Sequence, residues 1–189
     1  MPARRPRTLL QRFQDQIARI QRANTVRVAP QSKRKAQRCI SDTLRAVQCR
    51  KRTAHTPKCW IHLAKQENLR IKPSQVVGGG KGLYTWKNPI LRGRNISKYT
   101  GRRRTVQELD RRYGSRVAQY AVCNSRGQCI DANHTTDGAA RFANDSRGTI
   151  FQNNSTIKGG DRRIFRLKST RRIPAHSEIF TPYGAQYWE

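Results

Sequence analysis

The chain has 189 residues, enough for one domain of ordinary size and an extension. Hydrophobic residues make up 35% and the mean hydropathy is -0.89, so a core can occupy only part of the length. The formal net charge of +29 excludes a chain indifferent to polyanions, and the lack of any run of about 18 apolar residues excludes a membrane-spanning helix.

The charge is densest at the start. Residues 1–73 carry 19 Lys and Arg against 3 Asp and Glu, and residues 74–189 carry 21 against 8. No apolar stretch follows Arg4, Arg5 and Arg7, so no secretory signal is visible and an intracellular setting is expected. Residues 1–7, basic and with two prolines, read as a disordered start. Leu9, Leu10, Phe13, Ile17 and Ile20 recur at helical spacing, predicting an amphipathic helix that ends near Arg22. It either packs on its own domain or docks on a partner. Residues 32–38 form a basic cluster suited to nuclear import or phosphate contact. Residues 1–38 thus read as a basic N-terminal arm.

Residues 39–75 form a Cys/His-rich segment. Cys39, Cys49, Cys59 and His62 are spaced C-x9-C-x9-C-x2-H. Three thiolates and an imidazole are an acceptable tetrahedral set for zinc, and the polar residues between them offer no other core. The alternative is free thiols in a basic linker. Pro73 and Ser74 mark a boundary, after which Val76 and Val77 begin a β pattern.

From residue 76 onward, short apolar runs alternate with Gly, Asn, Pro and charged turns, predicting a mainly β domain. Strands are expected at residues 82–86, 117–122, 164–167 and 178–180. One helix is expected, from Thr105 to Tyr113, with Thr105 as N-cap and Glu108 three residues later. Residues 124–127 read as a hairpin turn, with Cys123 and Cys129 on either side. In a reducing cell these two are expected as thiols.

Four motifs follow one another in this region. They are Gly80-Lys81-Gly82-Leu83-Tyr84, Tyr99-Thr100-Gly101, Arg141-Phe142-Ala143-Asn144-Asp145-Ser146 and Glu178-Ile179-Phe180-Thr181-Pro182-Tyr183-Gly184. In that order they resemble the SET domain, whose members transfer a methyl group from S-adenosylmethionine to a lysine amine. The resemblance covers residues 76–189. It implies several small twisted sheets around a pseudoknotted C-terminal segment. Cysteine-rich pre-SET and post-SET modules are absent from the pattern, as in compact viral and protist members.

Residue by residue, the resemblance places Lys81, Gly82 and Leu83 against the methionine end of the cofactor, where glycine permits close approach. Tyr99 would line the cofactor side or serve as core. Arg141, Asn144 and Asp145 match the R-F-x-N-H-S motif, with Asp145 where the family usually has His. A backbone contact survives that change and a side-chain contact does not. Tyr183 matches the active-site tyrosine of E-L-x-F-D-Y-G and would also touch the cofactor. Tyr120 matches a second tyrosine of the lysine channel. Pro182 replaces the usual Asp. Thr181 stands where Phe or Tyr is common, and its smaller size would leave room for an already methylated amine. Closure of the channel would fall to Tyr187 and Trp188, or to a second subunit in a homodimer.

The resemblance implies a protein-lysine N-methyltransferase using S-adenosylmethionine, acting in the nucleus on a histone and docked by charge on nucleosomal DNA. Two other readings stand beside it: methylation of a non-histone protein, and a catalytically inactive SET-like protein that binds nucleic acid or chromatin.

Overall fold

The computed structural model describes residues 36–114, 117–133, 138–159, 164–184 and 187. The amphipathic helix expected over residues 9–22, most of the basic cluster, and Trp188 lie outside them. Within them the chain is mainly β, built from small antiparallel sheets.

The Cys/His-rich segment opens with β1 (Gln37–Arg38) paired to β2 (Arg52–Thr53). A helix, α1 (Trp60–Glu67), follows directly on Cys59. Leu63 and Ala64 are its buried face, and Asn68 ends it in the left-handed region (φ 57°), donating its N–H to Ala64 O. The sequence reading missed α1, because eight residues hold barely two turns of periodicity.

The strand pattern begins earlier than expected. β3 (Leu69–Pro73) pairs with β4 (Lys81–Thr85), while Val76 and Val77 lie in the turn between them. On its other side β4 pairs with β11 (Glu178–Ile179), which makes β4 the central strand of this sheet. A second sheet has the order β5 (Asn95–Tyr99), β10 (Phe165–Ser169), β9 (Ser155–Gly159). The third has the order β6 (Arg102–Thr105), β8 (Gln128–Asp131), β7 (Ala121–Cys123). β7 is shorter than the run of residues 117–122 suggested.

Between β6 and β7 lies α2 (Val106–Tyr113), at the predicted place and with the predicted capping box. Thr105 Oγ1 accepts from Glu108 N at 3.2 Å, and Glu108 Oε2 accepts from Thr105 N at 2.7 Å. The β7–β8 hairpin also turns at residues 124–127 as expected, and it sets Cys123 directly opposite Cys129. Their Cα atoms are 4.0 Å apart and the two form a disulfide, which corrects the expectation of thiols. The register, not the sequence spacing, brings the sulfurs together.

The main core draws Leu63 and Leu69 from before position 76 and Leu83, Phe142, Phe165 and Ile179 from after it. The Cys/His-rich segment is therefore packed on the sheets and does not hang from them.

Candidate functional site: a tyrosine cluster and a Cys3His cluster

The C-terminal motif leaves β11 and passes between two loops. Asn144 O accepts from Thr181 N at 2.8 Å, and Phe180 O accepts from Ser155 N at 2.9 Å. Asn154 adds two side-chain bonds, donating to Glu178 O and accepting from Phe180 N, both at 2.9 Å. This clasp fixes the backbone that carries Tyr183.

Tyr183 is half-buried, and its hydroxyl donates to Asn144 Oδ1 at 3.0 Å. Asn144 in turn donates through Nδ2 to Lys81 O at 3.1 Å. Three of the four sequence motifs thus meet at one asparagine. Tyr187 lies edge-on to Tyr183, with ring centroids 4.6 Å apart. Tyr99 donates its hydroxyl to Tyr120 O at 2.9 Å. Burial holds the Tyr183 phenol well above its ordinary pKa, with Tyr187, Tyr99, Tyr120 and Asp145 adding to the shift. Tyr99 is shifted upward for the same first reason. Burial thus keeps the Tyr183 and Tyr99 phenols neutral. With its one proton given to Asn144, the Tyr183 oxygen meets any further group as an acceptor.

Asp145 has a side-chain role. Oδ1 accepts from Arg147 N and Asn153 Nδ2, both at 3.0 Å, and Oδ2 accepts from Tyr183 N at 2.9 Å. The carboxylate thus ties the loop after Asn144 to the C-terminal motif. Beside it lies an open depression of about 470 Å3, lined by Asp145, Ser146, Arg147, Phe151, Pro182 and Gly184. A second depression, of about 490 Å3, lies between Pro57, Gln66 and Ile96, and no residue expected in catalysis or cofactor binding lines it.

Leu83, Arg141, Gly82 and Thr181 are held by packing within the protein. Leu83 is paired to Ile71 on one side and Ile179 on the other, and its side chain is fully buried in the core, so it faces no opening. Arg141 is buried, donating from Nη1 to Ala132 O and from Nη2 to His55 O, both at 3.0 Å. Its guanidinium lies 4.5 Å from the Phe142 ring centroid, so it acts as a strut. A Cβ on Gly82 would come within 2.1 Å of Glu178 Oε1, so the close approach this glycine permits is to a carboxylate of the protein itself. Glu178 accepts there from Ser74 Oγ, Gln75 N and Tyr84 OH. Thr181 is fully buried and its Oγ1 has no hydrogen-bond partner.

The second site is the cluster of Cys39, Cys49, Cys59 and His62. One ligand atom from each lies within 4.8 Å of the others. His62 Nδ1 is 3.4 Å from both Cys39 Sγ and Cys59 Sγ, and Cys49 Sγ is 4.0 Å from Cys59 Sγ. Metal–sulfur bonds of about 2.3 Å and metal–nitrogen bonds of about 2.0 Å give tetrahedral edges of roughly 3.5–3.8 Å, so the set fits a four-coordinate ion. Cys39 and Cys49 come from the β1 and β2 flanks, Cys59 from the N-cap of α1, and the imidazole from its first turn. Cys59 N donates to Cys39 Sγ at 3.1 Å. Burial opposes ionisation of Cys39, but hydrogen bonds from the Cys59 and Ser41 backbone and from His62 outweigh it and bring the thiol down to about 6. Burial pushes Cys59 up. The cluster could bind a metal.

Sequence reasoning missed His55, between the two sites. Lys81 Nζ donates to its Nε2, and its ring stands edge-on to Phe142 at 5.9 Å. No local pattern marks this residue.

No protein-family model and no curated protein matches the chain.

Proposed function

We propose that the chain is a SET-type protein-lysine N-methyltransferase. The observation that carries this reading is the bond from Tyr183 OH to Asn144 Oδ1, inside a cluster of tyrosines where three of the motifs converge. The clasping of residues 178–183 between residues 144–145 and 154–155 supports reading this segment as the threaded crossing of the SET fold.

Bound S-adenosylmethionine would supply a methyl group activated on a sulfonium. The open depression beside Asp145 and Pro182 is of a size for the nucleoside end of such a cofactor. Tyr183 and Tyr120 would surround the lysine amine, with Tyr99 packed in the core behind them. Desolvation there favours the neutral amine, which is the nucleophile. The Tyr183 oxygen, an acceptor, would take an N–H of that amine and aim its lone pair. The tyrosine π-faces would tolerate the positive charge that the amine nitrogen acquires on methylation. Because the Tyr183 phenol is held neutral, it orients the amine and is not its base; the amine's proton leaves to water.

Zinc is the metal that the Cys3His donor set suits best, in a closed structural site. The net charge of +29 favours nuclear action on nucleosomes, where DNA phosphates supply attraction that a basic histone tail does not. A second reading, a SET-like nucleic-acid or chromatin binder without catalysis, is favoured by Asp145 and Pro182 at motif positions.

The test is methyl transfer from labelled S-adenosylmethionine to nucleosomes, free histones and total protein extract, with Tyr183→Phe alongside. Label on one histone, lost by about 100-fold or more in the variant, supports the proposal. Label only in the extract moves the substrate outside chromatin. No label, together with no cofactor binding, leaves the non-catalytic reading.

A further inference from the structure

We propose that His55 is a positioning residue for the tyrosine site, set in place by the metal held at Cys39, Cys49, Cys59 and His62. The site half of this inference rests on the methyltransferase reading.

Residues 54–58 form a strap whose ends are both fastened at the cysteine cluster. It leaves β2, whose partner β1 runs straight into Cys39, and it ends at Cys59. Ile40 N donates to Pro57 O at 3.1 Å, holding the strap's far limb to the same segment. The apolar content of this cluster is Cys39, Cys49 and Cys59 themselves, with Ile61 packed against them. Four buried or half-buried ligand groups make a poor core without an ion to bind them. Metal binding is what closes the strap.

At the tip of the strap His55 faces the other site. Its carbonyl accepts from Arg141 Nη2 at 3.0 Å, and its Nε2 accepts from Lys81 Nζ. Lys81 O accepts from Asn144 Nδ2 at 3.1 Å, and Asn144 Oδ1 accepts from Tyr183 OH at 3.0 Å. A continuous run of contacts therefore leads from the strap to the hydroxyl expected to orient the amine. Loss of the metal lengthens the free loop and releases the Arg141 and Lys81 contacts together.

The experiment uses the full chain as purified with zinc, its EDTA-treated form, His55→Ala and His55→Gln. Bound zinc is measured first, then amide hydrogen exchange over residues 81–85 and 139–145, then S-adenosylmethionine affinity. One zinc per chain is expected in both variants. His55→Ala should exchange about tenfold faster in those two segments and bind cofactor about tenfold more weakly. His55→Gln, whose side-chain oxygen can accept from Lys81, should recover most of both. Metal removal should reproduce the His55→Ala pattern while β9 and β10 stay protected. If metal removal unfolds the chain globally, His55→Ala, which keeps its zinc, decides the matter. Unchanged exchange in His55→Ala, or less than one zinc per chain in the wild type, overturns the inference. Failure of the zinc-loaded wild type to bind cofactor would instead sink the methyltransferase reading, with the exchange comparison still deciding the coupling.

Discussion

The backbone N–H of Tyr183 donates to Asp145 Oδ2 at 2.9 Å. Asp145 and Pro182 are two of the positions where the chain departs from the SET-like motifs, and they flank this bond. Pro182 restricts the backbone ahead of Tyr183 and has no N–H of its own. The Asp145 carboxylate takes the next N–H in the chain. The two departures meet in one local arrangement, which holds the tyrosine by its main chain.

Replacing Asp145 should therefore loosen the C-terminal motif. Asp145→Ala leaves the N–H groups of half-buried Tyr183 and exposed Arg147 without their acceptor, at a cost of about 1–2 kcal/mol. Asp145→Asn keeps one acceptor oxygen and should cost less. Urea unfolding of the two variants checks this, and equal midpoints for Asp145→Ala and wild type would refute it.

Gly82→Ala should destabilise by about 1–3 kcal/mol through overpacking. The new methyl would collide with Glu178 Oε1 and displace a carboxylate that Ser74, Gln75 and Tyr84 all bond. Thermal unfolding reads the effect. A wild-type melting temperature would mean that Glu178 is not lodged against this glycine.

Alkaline pH should weaken the fold. Burial raises the pKa of Tyr84, Tyr99, Tyr113, Tyr183 and Tyr187. In the unfolded chain these phenols ionise near about pH 10. Their contribution is fully present below that value. It is lost as pH rises beyond it, because the unfolded chain releases its protons first. Denaturant midpoints measured from neutral pH to about pH 11 should fall only above about pH 10, and phenolate absorbance should rise together with unfolding. Phenolate absorbance rising fully before unfolding would contradict the buried cluster.

The Cys123–Cys129 disulfide closes a loop of six residues' separation, for which chain entropy predicts about 2 kcal/mol of stabilisation. Alkylation of the unreduced, unfolded chain should label only Cys39, Cys49 and Cys59 after metal removal, and reduction should expose the remaining two of the five cysteines. Labelling of all five without reduction would show that the hairpin carries thiols.

Much of the local structure was legible. The Thr105–Glu108 capping box and the 124–127 turn are written in neighbouring residues, so they needed no tertiary partner to be read. The Cys3His set was legible as a donor list, and the fold brings its four ligand atoms within 4.8 Å of one another, where they could bind a metal. The strand β3 was not legible, because Leu69 to Pro73 becomes a strand only by pairing with β4. Nor were the intramolecular contacts of Gly82, Arg141 and Asp145, since their partners lie at Glu178, His55 and Tyr183, far away in sequence.

By itself the sequence determined the composition of this protein's chemistry: a basic, mainly β chain with a motif tyrosine at 183 and four metal-type ligands between 39 and 62. These follow from residue types and short spacings. Only the tertiary structure decided how they are used. It placed Tyr183 against Asn144, gave Asp145 a clasping role, paired Cys123 with Cys129 and set His55 between the two sites. Each of these depends on strand register and loop closure across long stretches of chain, where the geometry of contact is settled by packing and not by any local pattern.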